Sequence, residues 1–240
     1  MKLESFKSSI NGEEIEFYFR RDSIGDRGVL KQIFLDEDYR VSHWGQGKLL
    51  IDYYQKRQAN GQTALIIDAG ANIGSSAVYF AKNYPSSVVL AVEPEKSNVA
   101  LLNVNVDKLN VQVFQAAIGC ENGEMFLQDP GLSDVGFRVG ETGDLAVKVM
   151  SPAELMSSVK NQSTYPFICK IDIEGGESDL FKKDFEWIDS FPMLVIELHD
   201  WMLPFQGSSR SFFKAVSTFD FDIVYRGENI FCFNKRILAP

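Results

Sequence analysis

The chain has 240 residues, 45% hydrophobic and 24% charged, enough to bury a large core without disulfides or metal and to form one full α/β domain with an extension. Its formal net charge is −9, and no run of four basic residues occurs. That disfavours a nucleic-acid partner, which needs concentrated Lys and Arg. Cys120, Cys169 and Cys232 are scattered and form no C-x-x-C pair, which argues against a disulfide framework or zinc site and fits a reducing, cytoplasmic compartment. Met1 to Glu14 holds no apolar stretch, so no secretory signal is expected. No segment approaches the roughly 20 apolar residues that span a bilayer, so no membrane partner is expected either.

Residues 1–62 read as an N-terminal extension. Leu3–Ile10 and Glu13–Arg20 flank Asn11-Gly12, the strongest two-residue hairpin signal. Residues 27–35 and 48–58 suit short amphipathic helices, with the loop Ser42-His43-Trp44-Gly45-Gln46-Gly47 between them. The extension is a candidate lid or substrate-selecting element, with His43 touching substrate and Trp44 stacking on a sugar ring, although an ordinary packing loop accounts for the same residues.

Residues 63–240 read as the main domain. Ala64–Asp68, Val88–Glu93, Val111–Ala117, Phe167–Ile173 and Met193–Leu198 are predicted strands, most of them short continuous apolar runs. Helices fall between them, one stopped by Pro85, one opened by Pro94 and one begun by the capping box Ser151-Pro152-Ala153-Glu154. Ser208–Thr218 suits a helix, and Phe221–Arg226 with Ile230–Asn234 suits a closing hairpin. Such alternation predicts an α/β fold with a parallel sheet covered on both faces, and ligands then bind beyond the carboxyl ends of the strands.

Three groups of residues sit at those ends. Asp68-Ala69-Gly70-Ala71-Asn72-Ile73-Gly74 is a strand end, a glycine turn and a helix start. Gly70 can take positive φ, Gly74 lets the helix pack close to the strand, and the helix N-terminus offers N–H groups to an anion. Asn72 stands where a dinucleotide fingerprint needs its middle glycine, so an adenosyl ligand without pyrophosphate fits better. Glu93 lies 25 residues beyond Asp68, one β-α-β repeat, where a carboxylate accepts hydrogen bonds from ribose hydroxyls. Lys170-Ile171-Asp172-Ile173-Glu174-Gly175-Gly176-Glu177 alternates charged and apolar residues. It suits either a structural ion-pair network or a site in which Asp172 faces the reactive end of the cofactor and Glu174 the rim of the substrate pocket.

These motifs, with Glu93-Pro94, Asn98, Leu101-Leu102-Asn103, Ala116-Ala117-Ile118-Gly119 and Glu197-Leu198-His199, resemble the FkbM-type methyltransferase family over about residues 63–200. The resemblance implies a Rossmann-like class I methyltransferase with a mostly parallel seven-stranded sheet, S-adenosyl-L-methionine as cofactor, and a hydroxyl of a small molecule, sugar or glycan as acceptor. It implies that Asp68, Gly70, Asn72, Ile73 and Gly74 hold the methionine part, Glu93 and Pro94 the ribose, and Ala117 the adenine, with Asp172 beside the methyl donor. Methyl transfer to an alcohol needs a base, and His199, Asp172 and Glu174 are the candidates. The same three residues also suit a divalent metal, although their spacing does not demand one and none is expected. A non-catalytic adenosylmethionine-binding module and a nicotinamide-dependent oxidoreductase are the competing readings.

Overall fold

The computed structural model describes residues 2–128, 138–140, 143, 145–159 and 163–239. Strands β1 (Leu3–Ile10) and β2 (Glu13–Arg20) form the predicted hairpin, with Asn11 and Gly12 both at positive φ as a tight turn requires. Helix α1 (Ile24–Leu30) is capped by Ser23, whose side chain accepts from the Asp26 N–H, and continues through a π turn over Lys31–Leu35. Helix α2 (Gly45–Ala59) begins three residues earlier than predicted.

The repeated units follow: β3 (Thr63–Ala69), α3 (Ser75–Asn83), β4 (Ser87–Glu93), α4 (Lys96–Val106) and β5 (Val111–Gln115). Then come α5 (Pro152–Ser158), β10 (Thr164–Ile171), α6 (Glu177–Leu180), β11 (Met193–Glu197), α7 (Arg210–Val216), β12 (Phe221–Arg226), β13 (Asn229–Asn234) and α8 (Lys235–Leu238). Seven of these strands make one sheet in the order β12-β13-β11-β10-β3-β4-β5. The five from β11 to β5 are mutually parallel, and only β13 runs against them. This is the mostly parallel seven-stranded sheet expected.

Side chains alternate across each strand, so every strand feeds two cores. Ala64, Ile66, Val89, Ala91 and Ile168 face a core built with α2, α3, α4 and the N-terminal hairpin. Leu65, Ile67, Leu90, Cys169 and Ile171 face α5, α6 and α7. A strand buried on both faces has no room for polar alternation, which is why β3 and β4 read as unbroken apolar runs. Residues 1–62 share the first core: Phe17, Tyr39 and Tyr54 belong to it with Phe80 and Phe167.

Several expectations need correction. Val111–Ala117 is not one strand. The chain breaks at Ala116, whose N–H reaches the carbonyl of Glu93, and Ala117–Ile118 becomes β6 in a second sheet. That sheet is completed by β7 (Gly123–Gln128), β8 (Arg138–Gly140) and β9 (Leu145–Met150), in the order β6-β9-β7-β8. Pro94 does not open α4; it precedes the cap residue Glu95, whose carboxylate accepts from the Asn98 N–H. Gly74 does not bring its helix against the strand. A Cβ there would strike Leu102 of α4, so the glycine lets two helices approach. Trp44 is partly buried and packs on the core as the ordinary packing loop would have it, its ring 5.0 Å from Phe231 and 6.2 Å from Phe233, with His43 exposed against it.

Gly70 combines φ +75 with a site where a Cβ would overlap the Asp172 carbonyl oxygen, while Gly12 has φ +82 and open space. Gly12→Ala is therefore expected to cost only the backbone term, about 1–2 kcal/mol, and Gly70→Ala distinctly more, at least about 2–3 kcal/mol. Urea denaturation followed by circular dichroism compares the two.

Candidate functional site

The parallel strands end together, and β3, β4, β10 and β11 deliver Ala69, Glu93, Ile171 and Glu197 to one edge. Asp68 and Lys170 are direct partners across β3 and β10, so their side chains share a face of the sheet. Lys170 is 2% exposed. Its Nζ donates to the Gly70 carbonyl at 2.7 Å and pairs with Asp68 Oδ1 at 3.3 Å and Asp172 Oδ2 at 3.5 Å. Burial alone would lower its pKa, but the charges of Asp68 and Asp172 outweigh that and raise it, so the ammonium stays charged. Asp68 is fully buried and also accepts from Ser76 Oγ at 2.6 Å. Its carboxylate is thus engaged inside the protein, where it fixes the glycine turn through Lys170 and α3 through Ser76.

The turn itself carries two left-handed residues, Gly70 at φ +75 and Asn72 at φ +49, before Gly74 at φ +95 caps α3. Asparagine tolerates that region better than most residues, which explains Asn72 at a position that glycine would otherwise hold. The N–H of Asn72 donates to Glu93 Oε2 at 2.9 Å. Glu93 Oε1 accepts from the Glu95 N–H at 3.0 Å and from Asn98 Nδ2 at 3.3 Å. Burial pushes the Glu93 carboxyl up to about 7, against the pull of these donors. Ile73 is fully buried and anchors the turn from beneath, Pro94 is half-buried beside Glu93, and Ala117 lies buried in β6 next in line along the edge.

His199 is the centre of a second group. It is 1% exposed, just past the end of β11. Nδ1 lies 2.8 Å from Oε1 of Glu177, the fully buried first residue of α6. Nε2 faces Glu174 Oε2 at 3.5 Å, Asp172 Oδ1 at 3.6 Å and Glu197 Oε1 at 3.6 Å. Burial lowers the imidazole pKa, but the Glu177 bond and the surrounding carboxylates outweigh it and hold it up at about 9. Burial and Asp172 raise Glu197 to about 8, and the same two causes raise Glu174. The structure thus brings the three candidate bases, Asp172, Glu174 and His199, into one cluster. Their ligating atoms all lie within 4.8 Å of one another, which makes them a candidate metal group as well.

Three neighbours escaped the sequence reading. Glu177 stood in the quoted motif without a role; its place three residues after Glu174, at a helix start, is the only signal it gave. Tyr39 lines a small cavity of about 40 Å³ with Ile33, Gly70, Asn72, Lys170 and Asp172. Trp201 is 70% exposed, with its ring centre 6.4 Å from that of His199. It is an exposed aromatic beside the cluster.

The edge between the turn and Glu93 fits adenosylmethionine. Asn72 Oδ1, Ser75 Oγ and Asn98 Oδ1 are buried with no hydrogen-bond partner among the described residues. The N-terminus of α3 has no side-chain cap. A ligand with hydroxyl and ammonium donors and one carboxylate meets those needs.

The family model described as "Methyltransferase FkbM domain" matches residues 68–226, well over half of the chain. Methyltransferase 1 of Beauveria bassiana is 26% identical over 198 residues, 72% of this chain and 73% of that protein. Hexuronic acid methyltransferase AglP of Haloferax volcanii is 25% identical over 135 residues, 55% of this chain and 54% of that protein. Among solved structures, the O-methyltransferase of Bacillus cereus aligns at a TM-score of 0.41 and 12% identity, over 87% of this chain and 90% of that one. No helix among the described residues is long and apolar enough to cross a membrane. The span of the family match decides the assignment: this chain belongs to the FkbM methyltransferase family, and S-adenosylmethionine is its methyl donor.

Proposed function

We propose that the chain is an O-methyltransferase whose acceptor is a hydroxyl of a small molecule, and of a sugar or glycan in particular. The observation that carries this reading is His199. It is a buried imidazole at the carboxyl edge of the sheet, oriented through Nδ1 by Glu177 and directed through Nε2 at Asp172 and Glu174. An alcohol oxygen is a poor nucleophile until its proton leaves; the imidazole, held up at about 9, is charged at neutral pH and orients the carboxylates it faces, which are the groups that can take that proton. The resemblance to a hexuronic acid methyltransferase supports a sugar acceptor. The net charge of −9 argues against nucleic acid.

Adenosylmethionine supplies an electrophilic methyl carbon when bound. The roles of the chain's own residues follow from their places. Glu93 accepts the ribose hydroxyls, with Pro94 beside it. Gly70, Asn72, Ile73 and Gly74 shape the turn that holds the methionine end, and Asp68 holds that turn in shape through Lys170 and Ser76. Ala117 borders the adenine. Asp172 lies where the donor end and the acceptor cluster meet. Within residues 1–62, Ile33 and Tyr39 line the same small cavity as Gly70 and Asp172, and this segment serves as the element that selects the acceptor and excludes water.

Three outcomes test the reading. Glu93→Ala will weaken adenosylmethionine binding by about 1–3 kcal/mol in calorimetry, through lost hydroxyl hydrogen bonds. Because burial raises the Glu93 pKa to about 7, its ionised form, the better acceptor, is depleted as pH falls through that value. Wild-type affinity will therefore decline below pH 7, by up to about tenfold per unit, while Glu93→Gln shows a flat profile. His199→Asn will lower kcat on a hydroxyl acceptor by about 10²–10⁴-fold and leave adenosylmethionine affinity unchanged; full activity in this variant removes the cluster from the chemistry.

A further inference from the structure

Five carboxylates converge on the edge formed by β3, β10 and β11: Asp68, Asp172, Glu174, Glu177 and Glu197. Among the described residues, the cationic partners in this cluster are Lys170 and, when protonated, His199. Lys170 is already engaged by Asp68, Asp172 and the turn carbonyls. Asp68 and Glu177 are buried and have partners, whereas Asp172, Glu174 and Glu197 are partly buried and crowd one another; like charges brought together away from bulk water are costly, and a bound cation is one way that proteins meet that cost.

The geometry around His199 is independent of this charge count. The ring is buried and clamped on one side, Nδ1 to Glu177 at 2.8 Å. On its other side Nε2 makes no hydrogen bond among the described residues, although it points at oxygens of Glu174, Asp172 and Glu197 at 3.5, 3.6 and 3.6 Å. A hydrogen bond of this type would be about 2.7–3.2 Å long. Two ligands at right angles around one cation, with bonds of about 2.1–2.5 Å, stand roughly 3.0–3.5 Å apart. The spacings are thus too long for hydrogen bonds and stand at or up to about 0.6 Å above those of neighbouring ligands, a gap that small side-chain rotations would close around an ion. A carboxylate on Nδ1 that leaves Nε2 free is also the arrangement that orients metal-bound histidines. Glu177 is fully buried, and its Oε2 has no partner of its own among the described residues.

We propose that Asp172, Glu174 and His199 bind one divalent cation, with Glu197 at its edge and Glu177 as the positioning residue behind His199. One nitrogen and several carboxylate oxygens suit a hard-to-borderline ion such as Mn²⁺ or Mg²⁺. The ion's part in catalysis rests on the hydroxyl-acceptor reading above: the acceptor oxygen would complete the coordination sphere, and the ion would favour transfer of its proton to the Glu197 carboxylate at the site's edge. Ion binding as such does not depend on that reading.

The test uses the full chain stripped with a chelator and titrated with Mn²⁺, followed by electron paramagnetic resonance and calorimetry. The expected result is one Mn²⁺ per chain, with spin-echo modulation from a directly bound imidazole nitrogen. Glu174→Gln will weaken binding at least about tenfold, and Glu177→Gln, which does not touch the ion, by about 10–100-fold. Glu121→Gln, an exposed acid paired with Lys183, will change nothing. Wild-type protein that binds no Mn²⁺, or binds it without the nitrogen signature, overturns the site, and it does so even if a variant fails to fold. S-adenosylhomocysteine titrated into the same stripped sample separates the two claims. Retained nucleoside binding without Mn²⁺ binding removes the cation alone, whereas loss of nucleoside binding removes the functional reading.

Discussion

A buried ammonium holds this edge of the sheet together. Lys170 sits beneath the turn that follows β3 and reaches its backbone carbonyl, while pairing with Asp68 on the neighbouring strand and with Asp172 just past the end of its own. Taking such a charge out of water costs several kcal/mol, and only a full set of partners offsets that. The partners are therefore constrained as strictly as the lysine. Asp68 must sit opposite it in register, and the turn must present its carbonyls downward. Asp172 must leave β10 toward the same face. One side chain thereby links the shape of the turn after β3 to the position of the acid beside His199.

The cluster extends that logic outward. Asp172 is shared between Lys170 on one side and His199 on the other. Glu177 fixes the far nitrogen of His199 from the start of α6, and Glu174, at φ +54, turns back toward the same ring. The acids of K-I-D-I-E-G-G-E therefore serve different ends although they alternate in one short stretch. The sequence left open whether this alternation marked an ion-pair network or a working site. The structure shows the network, Lys170 with Asp68 and Asp172, and the residues after it lie at the carboxyl edge of the sheet, where the site proposed above would be.

The legible parts of the chain were those where burial leaves a simple trace. Val88–Val92 is apolar on both faces because β4 lies inside the sheet, and Asn11-Gly12 marks a hairpin because only such residues take its dihedrals. The small sheet of β6 to β9 left no such trace. Its core is little more than Ala117, Leu127, Val147 and Val149, so its strands alternate weakly and carry no long apolar run. The choice between a packing and a substrate-facing tryptophan was open for a related reason: Trp44 and Trp201 look alike in sequence, each in a loop after a histidine, and only the fold turns one toward Phe231 and the other toward solvent beside His199. Gly74 reads from sequence as a close approach of its helix to the strand, because its true neighbour, Leu102 of α4, is 28 positions away.

A crystal structure with S-adenosylhomocysteine bound tests the central claim most directly. The account predicts the ribose hydroxyls on the Glu93 carboxylate, the amino-acid end against the turn from Gly70 to Gly74, and the sulfur directed toward Asp172 and His199. A nucleoside bound away from Glu93, or a sulfur facing away from the His199 cluster, would contradict it.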